Sequence, residues 1–274
     1  MPFTSLPALT VADFARPDRV ITPAELESWI VEEDEDFICF NKPGWVVCHP
    51  AKHGPWSCLV GAAKEARGWE TAYLVSRLDR ETSGVILIAK HRDAATRAQS
   101  AIEKREVSKT YLAILEGEMR EPLHVDLPMG PDKSGLVKVK QYLGNKPGSQ
   151  NAVTFFEPLH TGGGYTLARV ALHTGRKHQI RVHAQGIGHA VVGDKLYGPD
   201  ETLYLDFTET GWSDRHTSAL PLPRQALHAA RAVFKSRDMQ RTFRAPLSGE
   251  LRDFLTDRMG LSPEAIAKAE LLED

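Results

Sequence analysis

Cysteine is scarce in this 274-residue chain: Cys39, Cys48 and Cys58, an odd number with no C-x-x-C pair. That excludes a disulfide framework and a zinc knuckle, and predicts reduced thiols. No apolar run approaches the roughly 18 residues that span a bilayer, and the opening MPFTSLPALTVADFARP lacks a basic segment followed by an apolar one. The expectation is a soluble, cytoplasmic protein without membrane association. Gly162-Gly-Gly164 is not followed by Lys-Ser/Thr, so a phosphate loop is absent, and no fixed-period repeat is present. A surplus of basic charge is missing too, with 34 Lys+Arg against 36 Asp+Glu and a net charge of −2. Phosphate neutralisation ordinarily leaves a basic signature, so the average argues at first against a nucleic-acid partner.

The average conceals an uneven distribution. Residues 1–40 hold two arginines and nine acids, net −7, and residues 245–274 hold three basic residues and seven acids, net −4, which leaves residues 41–244 at +9. A basic body lies between two acidic ends. A solvated neutral protein with acidic flanks fits this as well as a nucleic-acid binder does, and motifs must decide. The 26% charged and 42% hydrophobic residues are ordinary for a globular chain able to bury a core.

Phe37–Phe40 and Trp45–Cys48 read as short strands around the turn Lys42-Pro-Gly44. A helix is predicted over 57–66, strands at 73–75 and 85–89, and a helix from Asp93, as its cap, to about Lys104. Lys109–Leu115 reads as a strand. Residues 118–150 read as a strand-and-loop excursion, because Leu136-Val-Lys-Val-Lys140 alternates with a period of two. Strands are predicted near 151–157 and 164–172, a helix from the Thr174-Gly175 break to about Gln185, strands near 227–235 and 240–244, and a helix near 248–258. Many strands with intermittent helices and no regular βαβ alternation predict an α+β sheet domain.

Chemistry concentrates in three segments. Val75-Ser-Arg-Leu-Asp-Arg-Glu-Thr-Ser-Gly-Val85 is a polar loop between apolar strands; its Asp79 is placed to act as nucleophile or general base, or merely to cap a turn. In Leu172-His-Thr-Gly-Arg-Lys-His-Gln-Ile-Arg-Val-His183, Lys177 and Arg181 lie one helical turn apart and could serve a carboxylate or phosphates together. His173, His178 and His183, five residues apart, swing around a helix instead of sharing a face, so no metal site is expected. Lys109-Thr-Tyr111 puts Tyr111 and Thr110 on opposite faces of a strand, with Tyr111 able to stack on a base or serve only as a core aromatic.

Taken in order, Lys42-Pro-Gly44 with His49-Pro50, Arg77-Leu-Asp79-x-x-Thr82-Ser83-Gly84, Lys109-Thr-Tyr111-Leu-Ala113, Thr174-Gly-Arg-x-His-Gln-Ile-Arg-x-His183, Gly193-Asp-x-x-Tyr197-Gly198 and Leu227-His-Ala229 resemble the RluA-type pseudouridine synthases. The resemblance implies a single catalytic domain on a mixed, largely antiparallel sheet, spanning 36–258 between an acidic extension (1–35) and an acidic tail (259–274). It implies isomerisation of uridine in rRNA or tRNA stem-loops without an external cofactor; a monomer with no obligate protein partner is the default expectation. Asp79 would be the catalytic aspartate, acting by covalent attack or by removal of a ribose proton. Arg181 would pair with it, and Tyr111 would stack on the uracil and help remove the C5 proton. Ile180 would close the pocket beneath the base, Arg77 would fill the stack vacated by the flipped base, and Arg176, Lys177 and Thr82 would contact substrate. Basic residues of the 131–146 excursion, Lys133, Lys138, Lys140 and Lys146, would contact RNA or simply be solvated. Ser76 stands where the family usually has His, and the short acidic lead-in leaves recognition to the catalytic domain. The competing reading is a catalytically silent RNA-binding module on the same scaffold. A glycosidic hydrolase is disfavoured because Asp79 has no second carboxylate suited to be its partner.

Overall fold

The computed structural model describes residues 20–49 and 54–272. Thr22 and Glu25 form a reciprocal capping box at α1 (Pro23–Ser28), and the chain enters β1 (Ile30–Glu33) and β2 (Phe37–Lys42). A 3-10 turn at Pro55–Ser57 leads into α2 (Leu59–Arg67), ended by Gly68 in the left-handed conformation. Then come β3 (Tyr73–Leu74), β4 (Ser83–Ala89), α3 (Arg92–Glu103) and β5 (Val107–Glu116). Short strands β6 (Leu123–Asp126), β7 (Met129–Pro131) and β8 (Gln141–Leu143) precede the long hairpin β9 (Val153–Gly162) and β10 (Tyr165–Leu172). Helices α4 (Gln179–Gly186), α5 (Thr202–Thr210) and α6 (Asp214–Ala219) lead to the hairpin β11 (Leu227–Ser236) and β12 (Met239–Arg244), and α7 (Gly249–Asp257) and α8 (Pro263–Leu271) follow.

Ten strands form one sheet in the order β1-β2-β4-β11-β5-β10-β9-β6, with β3 beside β4 and β12 beside β11. Among the described residues only β4 and β11 pair in parallel, through His228 opposite Ser83 and Ala229 opposite Gly84. Gly84 has φ +110°, and a Cβ there would lie 2.2 Å from the Ala229 carbonyl oxygen, so the close approach of these strands requires glycine. The result is the α+β class expected, a largely antiparallel mixed sheet with flanking helices.

The apolar run of β4 is buried on both faces because it is sandwiched. Val85, Leu87 and Ala89 join Phe37 and Cys39 under α3, whose Ala94, Ala98 and Ala101 allow close approach; Ile86 and Ile88 join Ile38 and Phe40 under α2. A third cluster, including Tyr111, Leu112, Ile180 and Leu255, fills the other half. Clamped at the centre of the sheet, β4 gives the preceding loop a rigid exit.

Three expectations are corrected. Trp45–Cys48 forms no strand: Trp45 has φ +73°, and the segment folds back so that the Val46 carbonyl accepts a bond from Lys42. Residues 136–140 form none either, with Leu136 67% exposed; the excursion instead pairs β7 with β8 on either side of them. The cap of α3 is His91, whose ring accepts from the Ala94 N–H, and Asp93 lies within the first turn. The described part of the acidic extension forms α1 and β1 on the sheet edge, and the acidic tail forms α8 with Ile266 buried in the core. Pro50 and residues 1–19 lie outside the described residues.

Candidate active site

Loop 75–82 is fixed from beneath by side chains that satisfy its backbone. Buried Lys42 donates to the carbonyls of Arg80 (3.1 Å), Pro43 and Val46. Buried Arg224 donates to the Glu81 carbonyl (2.9 Å) and the Ser83 hydroxyl (3.2 Å), while Gln225 donates to the Thr82 hydroxyl. Lys195 donates to the Glu81 carboxylate (2.9 Å) beneath the rings of Trp45, Phe207 and Trp212. Buried donors on buried acceptors brace the loop from below.

Asp79 stands at the top of this cradle, its side chain 30% exposed. Arg181 donates through Nη1 to Asp79 Oδ2 (2.8 Å), and through Nε and Nη2 to the fully buried Asp194 (2.6 and 2.9 Å). Asp194 in turn accepts from the Leu196 and Tyr197 N–H groups. One guanidinium therefore serves two carboxylates, bidentate to the buried one and with a single bond to the accessible one. Burial is the largest influence and works to raise the Asp79 carboxyl, but the charge and hydrogen bond of Arg181, together with the neighbouring His178, outweigh it and hold the group below the usual carboxylate range. Asp79 is ionised at neutral pH, and its Oδ1 accepts no hydrogen bond among the described residues.

His178, in the left-handed conformation at φ +59°, brings Nε2 to 3.8 Å from Asp79 Oδ2. Its Nδ1 lies 2.9 Å from the Tyr197 hydroxyl, which also accepts the Gln141 N–H. Burial, reinforced by the Arg181 charge, pushes the imidazole down to about 4, so it is neutral beside Asp79. Tyr111 is 7% exposed, and its phenol is pushed up by burial and then by the Asp79 charge, so at neutral pH it is not a phenolate.

These groups line a cleft of about 800 Å³ bounded by Val75–Arg80, the α3–β5 corner (Gln99, Ile102, Arg105, Val107, Lys109), Tyr111, and Leu172–His178. The structure brings Asp79, Tyr111, Arg77, Arg176 and Lys177 together at it, the last three exposed. Arg181 lies below the floor. Thr82 does not belong among the substrate contacts: it is 2% exposed and bonded to Gln225, so it holds the loop. Ile180 is 4% exposed in the cluster that contains Tyr111, supporting the floor from within. Among the described residues no group of His, Cys, Asp and Glu is placed to hold a metal, and no helix is long and apolar enough to cross a membrane. Spacing alone does not reveal His178 or Asp194; the signal was their place in the Thr174–His183 and Gly193–Gly198 motifs.

Residues 36–186 match the family described as RNA pseudouridylate synthase. A ribosomal large subunit pseudouridine synthase D of Yersinia pestis is 32% identical over 240 residues, covering 85% of this chain and 71% of that protein. A ribosomal large subunit pseudouridine synthase C of Vibrio parahaemolyticus is 32% identical over 261 residues, covering 91% and 76%. Among solved structures, human RNA pseudouridylate synthase domain containing 4 superposes with a TM-score of 0.68 at 25% identity, over 87% of this chain and 95% of that one.

Proposed function

The chain belongs to the RNA pseudouridylate synthase family, isomerases that convert uridine to pseudouridine in RNA, and from that premise we propose how its own residues carry the reaction. The observation that carries the reading is an ionised Asp79 with one oxygen tied to Arg181 and the other open to a cleft rimmed by cations. A uridine stacked in a helix cannot reach that oxygen, so the target nucleotide flips out, at about a few kcal/mol. Arg77, exposed at the mouth, has the planar guanidinium suited to fill the vacated stack.

With the ribose over the floor, the Asp79 carboxylate stands at C1′ as in retaining glycosidases, and the C1′–N1 bond breaks with its electron pair leaving on the uracil. The uracil turns against Tyr111, C5 bonds to C1′ as the Asp79 carboxylate is released from it, the C5 proton passes to water and N1 takes one from water. Atoms balance as an isomerisation, with nothing oxidised and no co-reactant. Because burial disfavours the Tyr111 phenolate, Tyr111 serves first as the platform for the base. Arg181 acts through Asp79, keeping it charged and aimed, while Asp194 prevents the guanidinium from being drawn wholly onto Asp79.

The relatives named for the ribosomal large subunit make structured rRNA the first substrate class to test, with tRNA stem-loops as the comparison. Every group invoked comes from this chain within 36–258, and its three buried cysteines form no disulfide, as a cytoplasmic setting favours.

The test is release of tritium from C5-labelled uridine in unmodified rRNA and tRNA transcripts. Wild type is expected to release it, and Asp79→Asn to lose on the order of 10³-fold or more. Tight binding with no release from either RNA would favour the silent module, and free uracil would indicate hydrolysis.

A further inference from the structure

The cleft holds more positive charge than Asp79 requires. Besides Arg181 beneath it, Arg77, Arg105, Lys109, Arg176 and Lys177 line it, and none of these five pairs with a carboxylate among the described residues. Four are exposed, where water solvates them. Lys109 is different, half-buried in the wall on β5.

Other lysines held inside the fold are satisfied. Lys42 donates to three carbonyls, and Lys195 to Glu81 and the Pro223 carbonyl beneath three rings. The Lys109 ammonium has no hydrogen-bond or ion-pair partner among the described residues. Burial alone pushes it down to about 8, which leaves it mostly charged at neutral pH. A charge withdrawn from water without a partner is costly, and here it faces the space where the substrate must lie.

Register says which part of the substrate it faces. Lys109 and Tyr111 are two residues apart on one strand, so they share a face, about 7 Å apart along β5. That is comparable to the span from a base to the phosphate of its own nucleotide. The only anions an RNA backbone offers are its phosphates, and a compact ammonium suits one as a point charge.

We propose that Lys109, with Arg105 at the adjoining corner, forms a phosphodiester subsite that anchors the nucleotide whose base lies against Tyr111. The inference rests on the reaction proposed above, because it takes Tyr111 as the platform for the base. Anchored there, the nucleotide is held at its backbone on one side and its base on the other, which fixes C1′ over Asp79.

The test is binding of a short oligouridylate, and of the same oligomer with neutral methylphosphonate linkages, to Asp79→Asn protein with and without Lys109→Gln. Lys109→Gln is expected to weaken the charged oligomer about tenfold. It should also lower the log–log salt slope by about 0.7, the contribution of one single-strand phosphate. On the neutral oligomer the two proteins should bind alike, and Lys109→Arg should restore most of the loss. Unchanged affinity and slope for the charged oligomer, or equal weakening on both oligomers, would overturn the subsite. So would a Lys109→Gln protein, otherwise wild type, that binds normally yet turns over slowly with a displaced pH profile, since that would place the amine in proton transfer. Binding in the Asp79→Asn background is independent of turnover, so failure of the wild type to isomerise any RNA would count against the reaction and leave the phosphate comparison to be decided separately.

Discussion

Replacing Arg181 by Met gives the sharpest test of how the site is held together. The side chain is 8% exposed and makes two charge-assisted bonds to Asp194, itself fully buried, and one to Asp79. Removing one partner of a buried ion pair costs about 3–5 kcal/mol, because the other charge is left without compensation. The Asp79 share is smaller, since its side chain is 30% exposed and water screens it. Asp194 keeps its two backbone N–H donors, so the expected deficit at pH 7 is about 3–4 kcal/mol. Against a typical stability of about 5–15 kcal/mol the variant still folds. The pH dependence carries the diagnostic sign. In the wild type both carboxyls are held below their unfolded values despite burial, so the stability they contribute is present above the unfolded pKa and lost as pH falls through the folded one. Without the guanidinium, burial dominates and raises both, so the penalty is full above the raised pKa and is relieved as the groups protonate. The gap between wild type and Arg181→Met, measured by urea denaturation from pH 8 to pH 5, is therefore expected to narrow as pH falls. A gap under about 1 kcal/mol that stays flat over this range would refute the account. Arg181→Lys retains the charge but lacks the planar fork that bonds Asp194 twice and Asp79 once, so it should lose about 1–3 kcal/mol with a much flatter profile.

Two further outcomes follow from the same geometry. Arg77→Ala is expected to slow isomerisation of a structured stem-loop about tenfold more than that of an already unstacked uridine, in single-turnover tritium release, because only the former needs its stack refilled; equal loss on both would remove the flipping role. Lys195→Met leaves the Glu81 carboxylate without its buried partner, so it should cost about 2–4 kcal/mol and lower kcat by loosening the Asp79 loop. Adding Glu81→Gln should recover at least about 1 kcal/mol of that loss in a double-mutant cycle, and simple additivity would show that the pair does not brace the loop.

What was legible in the sequence was chemistry confined to one segment. The 76–84 loop stands between two apolar runs, so its polarity and exposure follow from short-range pattern. The contact that matters most, Arg181 to Asp79, spans 102 residues; the order of family motifs implied it where no periodicity did. His178 illustrates the limit. Its five-residue spacing to His173 and His183 gives no hint of its position, because it lies just before α4 in a left-handed turn, and that turn brings it to Asp79. Thr82 was misplaced because a hydroxyl beside a catalytic residue looks like a substrate contact, while the bond from Gln225, 143 residues away, decides its role. Trp45–Cys48 and 136–140 failed as strands for a related reason. Four apolar residues, or five alternating ones, also suit a turn, and the competing interaction, Lys42 gathering carbonyls or β7 pairing with β8, is tertiary.

The division of charge along the chain acquires a physical meaning once the ion pairs are traced. Glu27 and Glu33 hold Arg67, Glu32 and Asp34 hold Arg241, Glu33 reaches Lys90, and Asp36 holds Arg97 and His91. At the other end Glu250 holds Arg224 of the body, while Glu270 holds Arg252 of its own segment. The acids of the ends thus pair with cations of the body, and neither 31–36 nor 264–272 lines the Asp79 cleft. Exposed pairs of this kind add little stability, about 0–1 kcal/mol each, so their larger effect is on the field. They cancel positive charge away from the cleft and leave Arg77, Arg105, Lys109, Arg176 and Lys177 at it without a carboxylate partner among the described residues. A phosphate chain approaching such a surface is attracted at the cleft mouth instead of over a uniformly basic body, so a net charge of −2 is compatible with RNA entering there.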